Sequence, residues 1–175
     1  MDFKTIRLTG QFADLFGDPS PNFTMLMYGS GGHGKSTAAL MLSDTLATMG
    51  MKALFVAKEE GISKTLQEKI KRLGINNDNL IITPSLPINY NDYDVLIIDS
   101  IQSADFDEKD LINFKAKYPN KAIILVGQVT KEGIYKGNKS IEHEVDIVIR
   151  VENGIATQEK GRFKASGSSI KIFDY

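Results

Sequence analysis

Apolar residues come in short runs along this chain, with helically spaced stretches between them. The runs are "FTMLMYG", "KALFVA", "NLIIT", "YDVLIIDS" and "KAIILVG", and helical patterns occupy 35–49, 63–73 and 107–117. A run that is apolar at successive positions predicts a strand buried on both faces. Alternation of such strands with amphipathic helices predicts an α/β fold with a mostly parallel sheet covered on both sides. The stretch 63–73 has Ile62, Leu66, Ile70 and Leu73 on one stripe and Gly74 as its stop. Lys64, Lys69, Lys71 and Arg72 lie off that stripe, and the lysines read as a solvated face.

The pattern changes after Ser140. "VDIVIRVENGIATQEKGRF" reads as two extended segments around Asn153-Gly154, a dipeptide favoured in two-residue type I′ turns, and "SSIKIFDY" as a final strand. The fold expected is therefore a central parallel sheet closed by a C-terminal β-hairpin. There is no internal repeat, and "GDPSPN" at 17–22 is too short for an interdomain linker, so 1–175 is expected to form a single domain. A chain of this length, 42% hydrophobic, can bury roughly 70% of its unfolded surface.

Composition then narrows the chemistry. The chain has no cysteine, and its two histidines, His33 and His143, are far apart, so no structural metal is expected. The N-terminus lacks a basic segment followed by an apolar run, and no stretch approaches the ~18 apolar residues of a membrane span. Those features predict a cytoplasmic protein with no membrane partner. The net charge of −1 supplies no overall field for nucleic acid, so any such binding has to be local.

The strongest local signal is "GSGGHGKST", Gly29 to Thr37, which follows a strand and opens a helix. It fits G-x-x-x-x-G-K-[ST], a loop whose backbone N–H groups curl around phosphate oxygens and where a Cβ would crowd the anion. Gly29, Ser30, Gly31, Gly32, His33, Gly34, Lys35, Ser36 and Thr37 are thus the candidate nucleotide-binding residues. Lys35 would reach the β and γ phosphates, and the Ser36 hydroxyl would ligate Mg²⁺. His33 occupies a variable position and reads as a solvent-facing tip.

A metal at Ser36 needs a carboxylate from a neighbouring strand end, and "DVLIIDS" supplies Asp99. Hydrolysis also needs a group to orient or deprotonate water. Glu59 and Glu60 follow "ALFVAK" at what should be the same sheet edge, with Glu59 the candidate base and Glu60 either assisting or solvated.

With these residues in place, the chain resembles the ATPase core of the RecA superfamily, and within it the bacterial RadA (Sms) branch. The resemblance rests on "GGHGKST", "LFVAKEEG", "LIIDSIQ", "LVGQVTKEG", "EHEVDIVIRVE" and "EKGRF", in that order over nearly the whole chain. It implies a RecA-like ATPase using ATP and Mg²⁺, assembled into a ring or filament with nucleotide at the subunit interface. Gln128 falls where such proteins place a γ-phosphate sensor, a position that is usually histidine in RadA proteins. Lys160 and Arg162 match the lysine and arginine of the RadA "KNRFG" signature, with Gly161 and Lys164 replacing its asparagine and last glycine. That match implies a finger reaching the neighbouring subunit's nucleotide. The segment 130–140 corresponds to the DNA-facing loop, which implies single-stranded DNA as partner, with Lys131, Lys136 and Lys139 on phosphates and Tyr135 stacked on a base.

RadA proteins carry a four-cysteine zinc module before this core and a protease-like domain after it. Neither is found in this sequence, so the resemblance points to a core-only relative of the kind found in phages and mobile elements. The expected function is a recombination or repair ATPase acting on single-stranded DNA. The alternative is a RecA-like regulatory or assembly ATPase whose 130–140 loop contacts protein. A small-molecule kinase fits poorly, because Arg72 is the sole arginine between Lys64 and Tyr118 and an arginine-rich lid is missing.

Overall fold

Side-chain alternation along each central strand sends apolar groups to both faces of one sheet. In a computed structural model that describes residues 4–129 and 139–174, β1 (Thr24–Gly29) puts Met25 and Met27 on one face and Leu26 on the other. Likewise β2 (Ala53–Ala57) divides Phe55 from Leu54 and Val56, and β4 (Val95–Asp99) divides Ile97 from Leu96 and Ile98. On β5 (Ala122–Gln128), Ile124 and Val126 face away from Ile123 and Leu125. This two-faced burial is the reason the strands lack polar alternation.

Helices cover each face. On the first lie α1 (Gln11–Phe16), α2 (Lys35–Thr48) and α3 (Lys64–Arg72), contributing Leu15, Phe16, Leu42, Leu46 and Leu66. On the second lie α4 (Glu108–Lys117), through Leu111 and Phe114, and α5 (Lys139–Glu144), through Ile141. Starts are set locally. The Ser63 side chain accepts from the Leu66 amide at 3.1 Å, and Asp107 and Asp110 form a reciprocal capping box at α4.

With β3 (Leu80–Thr83), β6 (Ile147–Glu152), β7 (Ile155–Lys160) and β8 (Ser169–Lys171), the sheet has the order β3-β2-β4-β5-β1-β6-β7-β8. All pairings from β3 to β6 are parallel, and β7 and β8 are added antiparallel. The hairpin turns at Asn153 and Gly154, with φ of 50° and 76°, as a type I′ turn requires. The short α1 was not anticipated, and the final strand is confined to Ser169–Lys171. Among the described residues no helix is long and apolar enough to cross a membrane.

Candidate nucleotide site

Parallel pairing brings the C-terminal ends of β1, β2, β4 and β5 to one edge: Gly29 stands beside Gln128, and Asp99 beside Ala57 and Val126. Ligands of open α/β sheets bind at this edge. A cleft of 570 Å³ lies there, lined by Gly31, Gly32 and Gly34 to Thr37 of the phosphate loop, by Glu59 and Glu60, by α3, and by Ile172 to Asp174.

The loop enters α2 through Gly34, whose φ is 109°. A Cβ at Gly34 would come within 2.5 Å of the Phe173 ring, so the backbone favours glycine and a side chain there would displace the ring. Lys35, at 5% exposure, lines the cleft. Ser36 donates to the Asp99 carboxylate, which is 4% exposed and has its Oδ1 without a hydrogen-bond partner. Burial pushes the Asp99 pKa up from 3.8 to about 6, helped by the charges of Glu59 and Glu60 and opposed by Ser36 and Lys35. A buried, unpartnered carboxylate oxygen beside a hydroxyl is a donor set that suits Mg²⁺.

Glu59 is aimed by its neighbours. The Lys58 and Glu59 amides both donate to the Asp99 carbonyl, at 2.8 and 3.1 Å, which ties the turn after β2 to the end of β4. The Gln128 side-chain amide donates to Glu59 Oε1. Gln128 is held in turn by Gln102, whose Oε1 accepts its backbone N–H at 3.1 Å and whose amide donates to its carbonyl at 3.5 Å. The candidate base and the candidate sensor therefore touch directly, which the sequence did not indicate.

Glu60 is neither solvated nor free. Its Oε1 pairs with Lys69 at 3.0 Å, while its Oε2 is buried without a partner. Lys69 and Arg72 line the cleft; Arg72 is exposed, but the Lys69 side chain is only 15% exposed, which corrects its reading as part of a solvated face. The signal lay in helix phase, since position 69 is three residues after buried Leu66 and four before Leu73, on the shoulder of the apolar stripe. His33 also departs from expectation. It is half-buried, and its Nδ1 accepts from the Asn153 amide at 3.1 Å.

Lys160 and Arg162 are not part of this constellation. Residue 160 pairs with Val148 near the start of β6, whereas the phosphate loop leaves β1 beside Val151. Lys160 donates to the Glu142 and His143 carbonyls at 2.9 and 3.4 Å, and Arg162 pairs with Asp146 at 2.9 Å. From Val151 to Asp146 the strand climbs roughly 16 Å. Of the candidate DNA-contacting residues, Lys139 is exposed at the start of α5, and Lys131, Tyr135 and Lys136 lie outside the described residues.

Comparison with known proteins agrees with this architecture. A family model described as an AAA domain matches residues 21–107. The DNA repair protein RadA of Aquifex aeolicus is 33% identical over 177 residues, covering 85% of this chain and 39% of the relative. RadA of Campylobacter jejuni is 33% identical over 178 residues, with 86% and 39% covered. The chain thus spans about two fifths of the length of these curated relatives. The flagellar accessory protein FlaH of Methanocaldococcus jannaschii superposes with a TM-score of 0.66 over 97% of this chain and 93% of its own, at 16% identity. The chain holds a P-loop ATPase core of the RecA superfamily, related to RadA. Its sheet, helices and phosphate loop are those of a RecA-like α/β fold.

Proposed function

We propose that this RadA-related core is an Mg²⁺-dependent ATPase that assembles head to tail and acts on single-stranded DNA in recombination or repair. The observation that carries the catalytic half is the convergence, in one cleft, of the phosphate loop with Lys35, the buried unpartnered Oδ1 of Asp99, and Glu59 bonded to Gln128. Lys35 and the loop amides offset phosphate charge, and Ser36 and Asp99 hold the metal, which when bound polarises the phosphate oxygens. Glu59 accepts a proton from the attacking water or orients it. Gln128 keeps Glu59 occupied in the free protein, and an arriving γ phosphate competes for the same amide donor.

The position of Lys160 and Arg162, roughly 10 and 16 Å of strand away from the chain's own loop, supports their service to a neighbour's nucleotide. Support for DNA comes from the RadA relatives, which are DNA repair proteins, and from the basic 130–140 segment. The test measures ATPase rate and oligomer size together, with Mg²⁺, with and without single-stranded DNA. ATP should promote oligomers and DNA should raise the rate. Hydrolysis and oligomers indifferent to DNA would replace the DNA role with the assembly reading, and a protein monomeric under saturating ATP and DNA would sink the model.

A further inference from the structure

In a two-residue type I′ turn the central amides ordinarily face water. Here both are spent on one residue of the phosphate loop: the Asn153 N–H donates to His33 Nδ1 at 3.1 Å, and the Gly154 N–H to the His33 carbonyl at 3.0 Å. On its other side the same turn grips the C-terminal segment, since the Gly154 carbonyl accepts from the Ile172 and Phe173 amides at 2.7 and 3.3 Å. The Phe173 ring then lies against Gly34, the last glycine before Lys35. Tail, hairpin turn and phosphate loop are thus joined through His33 and Phe173.

We infer that His33 is a positioning residue for nucleotide, acting as a hydrogen-bond acceptor that ties the phosphate loop to the β6–β7 turn, with Phe173 packed over Gly34 as the second tie. The inference rests on the reading of this loop as a nucleoside triphosphate site. A glycine-rich loop has many conformations, and only the curled one presents its amides to phosphate. When the competent form is a fraction of the population, apparent affinity falls by that fraction. His33 and Phe173 raise it by fastening the loop at its tip and at its entry to α2. Accepting through Nδ1 leaves the ring proton on Nε2, so the chemistry required of position 33 is a short-range acceptor rather than bulk or charge.

Three substitutions separate these requirements. His33→Asn keeps an acceptor oxygen near Nδ1, His33→Leu keeps bulk without an acceptor, and His33→Ala keeps neither. Binding of the non-hydrolysable analogue AMP-PNP with Mg²⁺ is measured by calorimetry on the full chain. His33→Ala and His33→Leu should weaken it by up to about tenfold, the scale of one lost hydrogen bond, and His33→Asn should stay within about twofold. The ATPase change should fall on KM rather than kcat. Phe173→Ala should weaken binding in the same direction, and Phe173→Leu much less.

Amide hydrogen exchange without nucleotide supplies a second readout, since the Asn153 amide should exchange faster in His33→Leu and not in His33→Asn. Wild-type affinity in His33→Leu, or a loss in His33→Asn as large as in His33→Ala, overturns the inference while leaving the nucleotide reading intact. A wild-type chain that ignores AMP-PNP overturns both.

Discussion

The β6–β7 hairpin has two ends that are built in opposite ways. At the turn, backbone amides are spent on His33, a glycine backs onto Phe173, and the neighbouring Lys35 and Asp99 are almost wholly buried. At the other end Lys160 donates to helix carbonyls from an exposed site, and Arg162 holds Asp146 with its own side chain 71% exposed. The first end is organised within one chain and needs a ligand to complete it. The second is held by contacts that water and salt weaken, so its cations can be given up to another subunit at little cost. On the proposed function, a loop that meets a triphosphate would gain from preorganisation, whereas a finger that crosses an interface would gain from being cheaply released.

The largest expected effect tests the organised end. Glu59→Gln removes the proposed proton acceptor while keeping the size of the side chain, so turnover should fall about 1,000-fold with AMP-PNP affinity nearly unchanged. Because Gln128 donates to Glu59 in the free protein, the pair is already in register, and Gln128→Ala should lower turnover by less. Single-turnover hydrolysis with bound ATP is the check. A Glu59→Gln protein that retains wild-type turnover would move the base elsewhere in the cleft.

Asp99 gives the next effect, on stability. Its pKa is raised from 3.8 to about 6, so without metal the folded protein binds this proton more tightly than the unfolded chain. The stabilisation this group supplies is complete below pH 4 and is lost as pH rises through about 6. Asp99→Asn never pays for ionisation, and relative to wild type it should gain up to about 3 kcal/mol on going from pH 4 to pH 8. Urea melts of both proteins in chelator at the two pH values measure it. Mg²⁺ with nucleotide should stabilise wild type and not Asp99→Asn at pH 8.

These two residues were legible in the sequence because each follows an apolar strand, and parallel pairing carries strand ends to a common edge. The sheet was legible for the same reason: Leu96, Ile97 and Ile98 can only sit in a strand covered twice. What escaped was contact across long sequence separations. Gln128 meets Glu59 over 69 positions, and His33 meets Asn153 over 120; no periodicity announces such pairs. Lys69 escaped for a different reason, because a charged residue on the shoulder of a helical stripe looks solvated until a partner such as Glu60 is known. The short α1, with no side-chain cap at Gly10, gave too little pattern to be seen.

Mixing subunits tests the loose end. Lys160→Ala alone should be inactive if its cation serves a neighbour, and Glu59→Gln alone should be inactive for want of a base. In a random equal mixture, about one interface in four joins an intact Glu59 to an intact Lys160, so about a quarter of wild-type ATPase should return. Activity that stays at the level of the separate variants would assign Lys160 to α5 alone, where it caps the Glu142 and His143 carbonyls.

The smallest effect is the one that defines looseness. Arg162 pairs with an Asp146 that is also bonded to β1, its Oδ2 accepting from the Thr24 amide at 3.0 Å and its own amide donating to Thr24 Oγ1 at 2.9 Å. Asp146 is therefore fixed without Arg162, and the exposed ion pair adds at most about 1 kcal/mol. Arg162→Ala should shift the urea midpoint very little, and by less still in high salt, while lowering ATPase sharply in the assembled protein. A loss of several kcal/mol with unchanged ATPase per folded subunit would make Arg162 a structural strut, and the two ends of the hairpin would then be held alike.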